Sequence, residues 1–253
     1  MQQQLPLFVQ HFLLPPVFAA ALYRLLCDVV AALDGAGLPY WVDGGLLIGL
    51  EREHGRMLMH DDDVDLAMES RHWKRLPELV LQRLGSDEFG YTVVVDEDSG
   101  IVKIANSKVG PMHNGVQSVV FPTVELFEWT DQLAEQQQPR LALASAKFRD
   151  LWPQCWLTAD ELMPLKRLKC IGPYCESTLP TLMVTVPSNS FAYLDRLYPG
   201  WKENVVIDVK QTRMEDLRVH NLIKIVMPKW LYDSQLVQVA ARELFKLKLA
   251  DRF

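Results

Sequence analysis

The sequence predicts an α/β (α+β) fold in which helices and strands interleave ahead of a second strand-rich region. Three observations predict it. Val17 to Leu33 is rich in helix formers, with Pro16 suited to the first turn and Gly35 and Gly37 placed to stop it. Pro39-Tyr-Trp-Val-Asp43 reads as a short strand entering Gly44-Gly45, and Leu46 to Arg52 as a helix starting on those glycines. After a charged loop, Val64-Asp65-Leu66-Ala67-Met68 reads as a strand, Ser70 as an N-cap, and Arg71 to Leu84 as a helix.

The later elements follow by the same reasoning. Tyr91 to Val95 and Ile101 to Asn106 form a hairpin around Glu97-Asp98-Ser99-Gly100, and Val116 to Trp129 supplies one or two further strands. Glu135-Gln-Gln-Gln-Pro139 is a polar loop, and Thr158-Ala-Asp-Glu161 is a capping-box signal for a short helix. Pro187-Ser188-Asn189 should cap a helix over Ser190 to Tyr198, which Pro199-Gly200 ends; Trp230 to Arg252 has the composition of a last helix. With 253 residues, 49% of them hydrophobic, one compact unit over 1–253 is expected.

A net charge of −6 and a pI near 5.5 argue against a general binder of nucleic acid or anionic membranes, which rely on clustered Lys and Arg. Cys27, Cys155, Cys170 and Cys175 form no C-x-x-C pair and read as reduced thiols. Residues 1–23 carry no charged side chain, but Pro6, Gln10, His11 and Pro15-Pro16 interrupt the stretch and no basic segment precedes it. It reads as an apolar segment packed on the domain, with a weak membrane anchor as the lesser alternative.

The densest chemical signal is His60-Asp61-Asp62-Asp63-Val64-Asp65. Side chains alternate along a strand, so Asp61, Asp63 and Asp65 point one way and Asp62 the other. Such a wall of hard oxygen ligands suits Mg²⁺ or Mn²⁺. Three other origins compete. A solvated acidic turn is the plainest, although these acids run directly into an apolar strand, where an uncompensated carboxylate is costly. An EF-hand loop fails because its sixth position would be Leu66 and its twelfth His72. The D-x-D of a sugar-nucleotide glycosyltransferase stays open on spacing alone. Gly44-Gly45 upstream, where bare backbone opening a helix can approach a phosphate, sets this chain apart.

Asp43-Gly-Gly-Leu-Leu-Ile-Gly-Leu-Glu-Arg52 followed by His60-Asp-Asp-Asp-Val-Asp-Leu66 resembles the signature of the LicD family. The family includes phosphocholine transferases and fukutin-related enzymes that add alditol phosphates to glycans. Thr123-Val-Glu-Leu-Phe127 resembles its later acidic strand. Leu162-Met-Pro-Leu-Lys166, Val186-Pro187, Phe191 to Leu194 and Tyr198-Pro-Gly-Trp201 resemble its C-terminal pattern. The resemblance spans about residues 17–202 and implies one nucleotidyltransferase-like mixed sheet flanked by helices, with a C-terminal strand and helix elaboration and 203–253 as a helical extension. It further implies that Asp63 and Asp65 bind metal with Glu125 as third carboxylate, and that Gly44, Gly45 and Arg52 lie at the donor phosphates. The family often has Thr where this chain has Leu46, Asp where it has Glu125, and Pro-Trp where it has Met59-His60.

The reaction so implied is metal-dependent transfer of a phospho-alditol or phosphocholine group from a CDP-linked donor to a glycan or lipid-linked saccharide. Asp61 or Glu125 would take the acceptor's proton. Two alternatives are nucleotidyl transfer with pyrophosphate release and a catalytically degenerate binding protein. Arg52 reads equally as a phosphate ligand or as an internal partner of Glu51, Glu53 or Asp61. Lys166, Arg167 and Lys169 are as well explained as a solvated face. His60, Trp41, Trp129 and Trp201 are better explained structurally. The expected compartment is the cytoplasm, with lumenal and membrane-associated placements as alternatives.

Overall fold

The computed structural model describes residues 14, 16–61, 63–84, 90–96, 98–106, 122–133, 139–172, 179–210, 222–229 and 232–233. Helix α1 (Pro16–Ala36) buries Ala19, Leu22, Tyr23, Leu26, Val29, Val30 and Leu33, a stripe at helical spacing. It lies against the sheet and against a later helix. The helix runs on through Gly35 and ends at Gly37, whose φ of +63° suits glycine; Leu38 N–H then bonds to Leu33 O at 3.0 Å.

Strand β1 (Trp41–Val42) leads through Asp43 into helix α2 (Gly44–Arg52), which starts two residues earlier than the apolar pattern suggests because Asp43 caps it. Strand β2 (Asp63–Glu69) follows. The helix expected over Arg71 to Leu84 is two, α3 (Ser70–Trp73) and α4 (Leu76–Leu84). Pro77 explains the break, since it disfavours helical backbone just before it and is tolerated only in a helix's first turn. Ser70 is the first residue of α3 and not its cap; its hydroxyl donates to Trp129 O at 3.0 Å.

Strands β3 (Tyr91–Asp96) and β4 (Ile101–Asn106) form the expected hairpin, and β5 (Thr123–Leu133) is one long strand. Residues 116–121 lie outside the described ones. The order is β1-β2-β5-β4-β3, with β5 parallel to β2 and antiparallel to β4. The far half of β5 pairs with β6 (Pro139–Leu143), which pairs with β7 (Trp156–Thr158). This mixed sheet has buried Val64, Leu66, Val102, Ile104, Val124 and Leu126 in its central strands.

Helix α5 (Ala146–Leu151) joins β6 to β7, and α6 (Ala159–Leu162) follows β7 with the expected capping box. Thr158 Oγ1 accepts from Glu161 N–H, and Glu161 Oε2 accepts from Thr158 N–H. Arg196 clamps the same carboxylate at 2.7 and 3.0 Å while its guanidinium lies 3.6 Å from the Trp156 ring centroid. Burial opposes ionisation of Glu161, but the Arg196 hydrogen bonds and the Thr158 amide outweigh it and hold the carboxyl below its usual range. A lowered folded value stabilises the protein above the unfolded value, and that stability is lost as pH falls through the folded one. Glu161→Ala is therefore expected to cost about 2–3 kcal/mol near neutral pH and less in acid, measured by urea unfolding across pH.

Strands β8 (Lys166–Cys170) and β9 (Leu182–Val186) form a separate antiparallel pair, and α7 (Ser190–Leu197) is capped by Asn189 accepting from Ala192 N–H. Contacts group residues 14–199 into one unit and the described residues from 200 on into another. In the second, β10 (Asn204–Lys210) and β11 (Leu222–Pro228) pair antiparallel. This corrects the helical extension expected from residue 203: Asn-Val-Val-Ile-Asp-Val-Lys and Leu-Ile-Lys-Ile-Val-Met are rich in β-branched residues, which favour strand. The helix expected over Trp230 to Arg252 falls almost wholly outside the described residues. Among the described residues, no helix is long and apolar enough to cross a membrane.

Candidate active site at the glycine turn

The site is built where β1, α2, β2 and β5 meet. The parallel register sets Asp63 opposite Thr123, Asp65 opposite Glu125 and Ala67 opposite Phe127, while β4 sets Lys103 opposite Glu125. Residues directly opposite share a face, so Asp65, Glu125 and Lys103 form a row across three strands. Lys103 Nζ donates to Glu125 Oε1 at 2.5 Å, so the carboxylate expected as third metal ligand already has a cation.

Asp43 is buried and holds the start of α2. Its Oδ1 accepts from Gly44 N–H at 2.8 Å and from Tyr193 Oη of α7 at 2.8 Å, and its own N–H donates to Asp65 O at 3.0 Å. Burial raises the Asp43 carboxyl despite those two hydrogen bonds. Behind Tyr193 stands the Cys155 thiol at 3.3 Å. Tyr193→Phe removes a donor from a buried carboxylate and is expected to cost about 1–3 kcal/mol in chemical unfolding.

The two glycines admit two carboxylates. Gly44 has φ +55°, and a Cβ there would overlap Asp65 Oδ2; a Cβ at Gly45 would overlap Asp61 Oδ2. The helix N-terminus, with its partial positive charge, is thus approached first by the protein's own acids. Burial raises the Asp65 carboxyl well above its usual range, and Asp63, Asp61, Asp43 and Glu125 raise it further. Asp62 lies outside the described residues.

A cavity of about 100 Å³ opens on this cluster. Asp43, Gly44 and Asp65 form its polar side, and Phe127, Trp152 and Tyr198 much of the rest. Tyr198 follows α7, and desolvation around its hydroxyl together with the Asp43 and Asp65 carboxylates pushes its phenol well above the usual range, so it stays a hydrogen-bond donor.

The other residues singled out in the sequence have the following surroundings. Arg52 is nearly enclosed and donates through Nε to Glu53 at 2.6 Å. Arg167 pairs with Asp34 at 3.1 Å, and Lys166, Arg167 and Lys169 are exposed on β8. Trp41 and Trp129 are core residues in edge contact at 5.5 Å. Cys27, Cys155 and Cys170 are free thiols. Lys103, Tyr193, Trp152 and Tyr198 reach the site without having been assigned to it from the sequence; Lys103 is signalled only by being a cation between the apolar residues Val102 and Ile104.

The charge of this donor set fits a divalent cation. Asp65 is desolvated and acted on by the charges of Asp63, Asp61, Asp43 and Glu125, an accumulation of negative charge that a small dication would relieve. Among the described residues no three His, Cys, Asp or Glu side chains are grouped so that they could hold a metal ion by themselves. A Mg²⁺ ion here would need water and substrate phosphate to complete its shell, since it commonly takes only one or two protein carboxylates.

The description "LicD/FKTN/FKRP, nucleotidyltransferase domain" matches residues 37–189. The chain is 24% identical over 189 residues, 75% of its length, to an uncharacterized protein of Rickettsia prowazekii, of which the match covers 58%. It is 43% identical over 54 residues to the ribitol 5-phosphate transferase FKRP of mouse and of human, matching 21% of this chain and 11% of theirs. The chain thus spans little more than half of the first of these relatives and a small part of the others. Among solved structures, it is similar to the lincosamide antibiotic adenylyltransferase LnuA bound to lincomycin, with TM-score 0.35 and 12% identity over 65% of this chain and 79% of that one. It is also similar to ANT(2")-Ia in complex with adenylyl-2"-tobramycin, with TM-score 0.33 and 19% identity over 70% and 78%. With a match across 37–189 that contains the glycine turn, the acidic strand and Glu125, the chain belongs to the LicD/FKTN/FKRP family, through its nucleotidyltransferase domain.

Proposed function

We propose that the protein is a metal-dependent phosphotransferase that moves a phospho-alditol or phosphocholine group from a CDP-linked donor to a glycan or lipid-linked saccharide hydroxyl. Family membership supports a transferase of this kind. The carrying observation is the placing of the half-buried Asp65 carboxylate, across from Glu125 and under the influence of Asp61, Asp63 and Asp43, against a helix that begins on bare glycine.

Asp63 and Asp65 would hold the ion. Bound there, Mg²⁺ or Mn²⁺ supplies charge neutralisation for the donor diphosphate and for the charge that develops on transfer. The protein's own groups do the rest. Asp43 fixes the start of α2 through Gly44 N–H, and Tyr193 fixes Asp43, so the carboxylates present one geometry. The acceptor hydroxyl oxygen forms a bond to the reacting phosphorus, the bond from that phosphorus to the CMP oxygen breaks, and Asp61 takes the hydroxyl proton. Glu125, committed to Lys103, holds its strand position and balances the row.

The test is incubation with a panel of CDP-linked donors and, separately, nucleoside triphosphates, with a mixture of saccharide acceptors. CMP released in step with phosphorylated saccharide is expected. Pyrophosphate as the sole leaving product would overturn the reading in favour of nucleotidyl transfer.

A further inference from the structure

The apolar side of the cavity has a feature the carboxylate chemistry does not use. Helix α5 buries none of its residues, and it hands the chain to Trp152, which keeps 45% of its surface exposed at the cavity. Much of its ring surface is thus open to a ligand. This one is held in place: its indole stacks on Phe148 with centroids 5.1 Å apart and planes 13° from parallel, and Phe148 meets Phe127 edge-on at 5.9 Å. Phe127 lies two residues after Glu125 on β5, on the same strand face, opposite Ala67, which itself lies two after Asp65. The aromatic wall is therefore a continuation of the carboxylate row.

Tyr198 also lines the cavity, with 37% of its surface exposed. Among the described residues its hydroxyl makes no hydrogen bond, although it stands in the field of Asp43, Asp65 and Asp61. A fixed indole and a free phenolic donor at the edge of an anionic site suit a neutral, polyhydroxylated ring. The C–H groups of such a ring are positively polarised and pack on the negative face of an indole, while its oxygens accept from a phenol. The acidic rim disfavours an anionic occupant.

We propose that Trp152 and Tyr198 form the acceptor subsite, in which a saccharide ring stacks on the Trp152 indole and accepts a hydrogen bond from Tyr198 Oη, presenting one hydroxyl toward Asp65. This rests on the transferase reading. It selects the acceptor over the nucleobase, because the acceptor hydroxyl must lie within about 3–3.5 Å of the reacting phosphorus. A ribose and a phosphate separate the base from that atom, whereas this cavity contains Asp65 itself.

Binding tests the subsite without any turnover. Tryptophan fluorescence is titrated with a methyl pyranoside, with glycerol as an acyclic polyol and with CMP, each at up to tens of millimolar. Wild type should respond saturably to the pyranoside and not to glycerol, and Trp152→Ala should abolish the response. Trp152→Phe, which keeps a ring face, should retain pyranoside binding, read as protection from spin-label broadening of the sugar's proton signals. A CMP signal lost in Trp152→Ala would mean that the base occupies the wall, and no wild-type response to the pyranoside would mean that nothing stacks there; either overturns the subsite. In the transfer assay, Trp152→Ala should raise the acceptor KM about 10-fold and Tyr198→Phe about 5-fold. A rise confined to the donor KM would overturn the assignment. Saccharide binding without CMP release would leave the subsite standing and sink the transferase reading, so the two failures are distinguishable.

Discussion

Asp65→Asn is expected to lower transfer by about three orders of magnitude while making the metal-free protein more stable. The loss follows from the several kcal/mol that a metal ion contributes to a phosphoryl-transfer transition state, at about 1.4 kcal/mol per tenfold in rate. Asn keeps the shape of Asp but not its charge, so it can neither hold the ion nor neutralise it. The gain in stability has the same origin. Four other carboxylates act on a desolvated Asp65, and a neutral isostere removes that repulsion. A gain in stability is therefore expected in thermal or urea unfolding. A variant that loses both activity and stability would point to a structural role for Asp65. Function placed at the expense of stability is the pattern of an active site.

Gly44→Ala is expected to be damaging in both respects, at about 3 kcal/mol of stability and with activity lost. Two costs combine. A φ of +55° strains any L side chain, and the new Cβ would overlap the carboxylate of Asp65, which sits on a central strand and cannot retreat. Gly45→Ala separates these effects. Gly45 lies within α2, where alanine is the better helix former, and its Cβ meets only the carboxyl tip of Asp61 at the end of a half-buried side chain. Asp61 can swing aside, so this variant should fold as well as wild type and transfer more slowly. Circular dichroism melts and the transfer assay, run on both variants, show whether stability and activity separate at Gly45 and fall together at Gly44.

Much of the fold was legible because its signals are local. The stripe of α1, the run from Asp43 into Gly44-Gly45, the hairpin of β3 and β4 and the capping box at Thr158 each depend on residues within a few positions of one another. What was not legible depends on distant partners or on one overriding residue. Pro77 broke a helix that periodicity alone would continue, and β-branched residues after Asn204 made strands where a helical extension was expected. Nothing near Thr123 announces that β5 would pair parallel with β2 on one edge and antiparallel with β4 on the other.

The site divides in the same way. Two-residue alternation along β2 is enough to place Asp63 and Asp65 on one face, and Gly44-Gly45 flags a close approach to bare backbone. The nature of that approach was not legible: the atoms brought against the glycines are Asp61 and Asp65 carboxylate oxygens. Asp43 stood in the motif, but its burial and its bond from Tyr193, 150 residues away, are products of tertiary packing. Lys103 is set beside Glu125 by an antiparallel register that no local pattern encodes. Trp152 was invisible for the same reason, and Tyr198, although it stands in the stretch that resembles the family's C-terminal pattern, could not be placed at the site, since each lies at the end of a short helix whose neighbours in space come from other parts of the chain.

Calorimetric titration with Mg²⁺ in the presence of CDP, comparing wild type with the Asp63→Ala, Asp65→Ala double variant, tests the central claim most directly. Saturable binding by wild type that disappears in a variant still folded by circular dichroism is the predicted result. Identical isotherms for the two proteins would contradict it, because the carboxylate row would then have no part in holding the ion on which the proposed transfer depends.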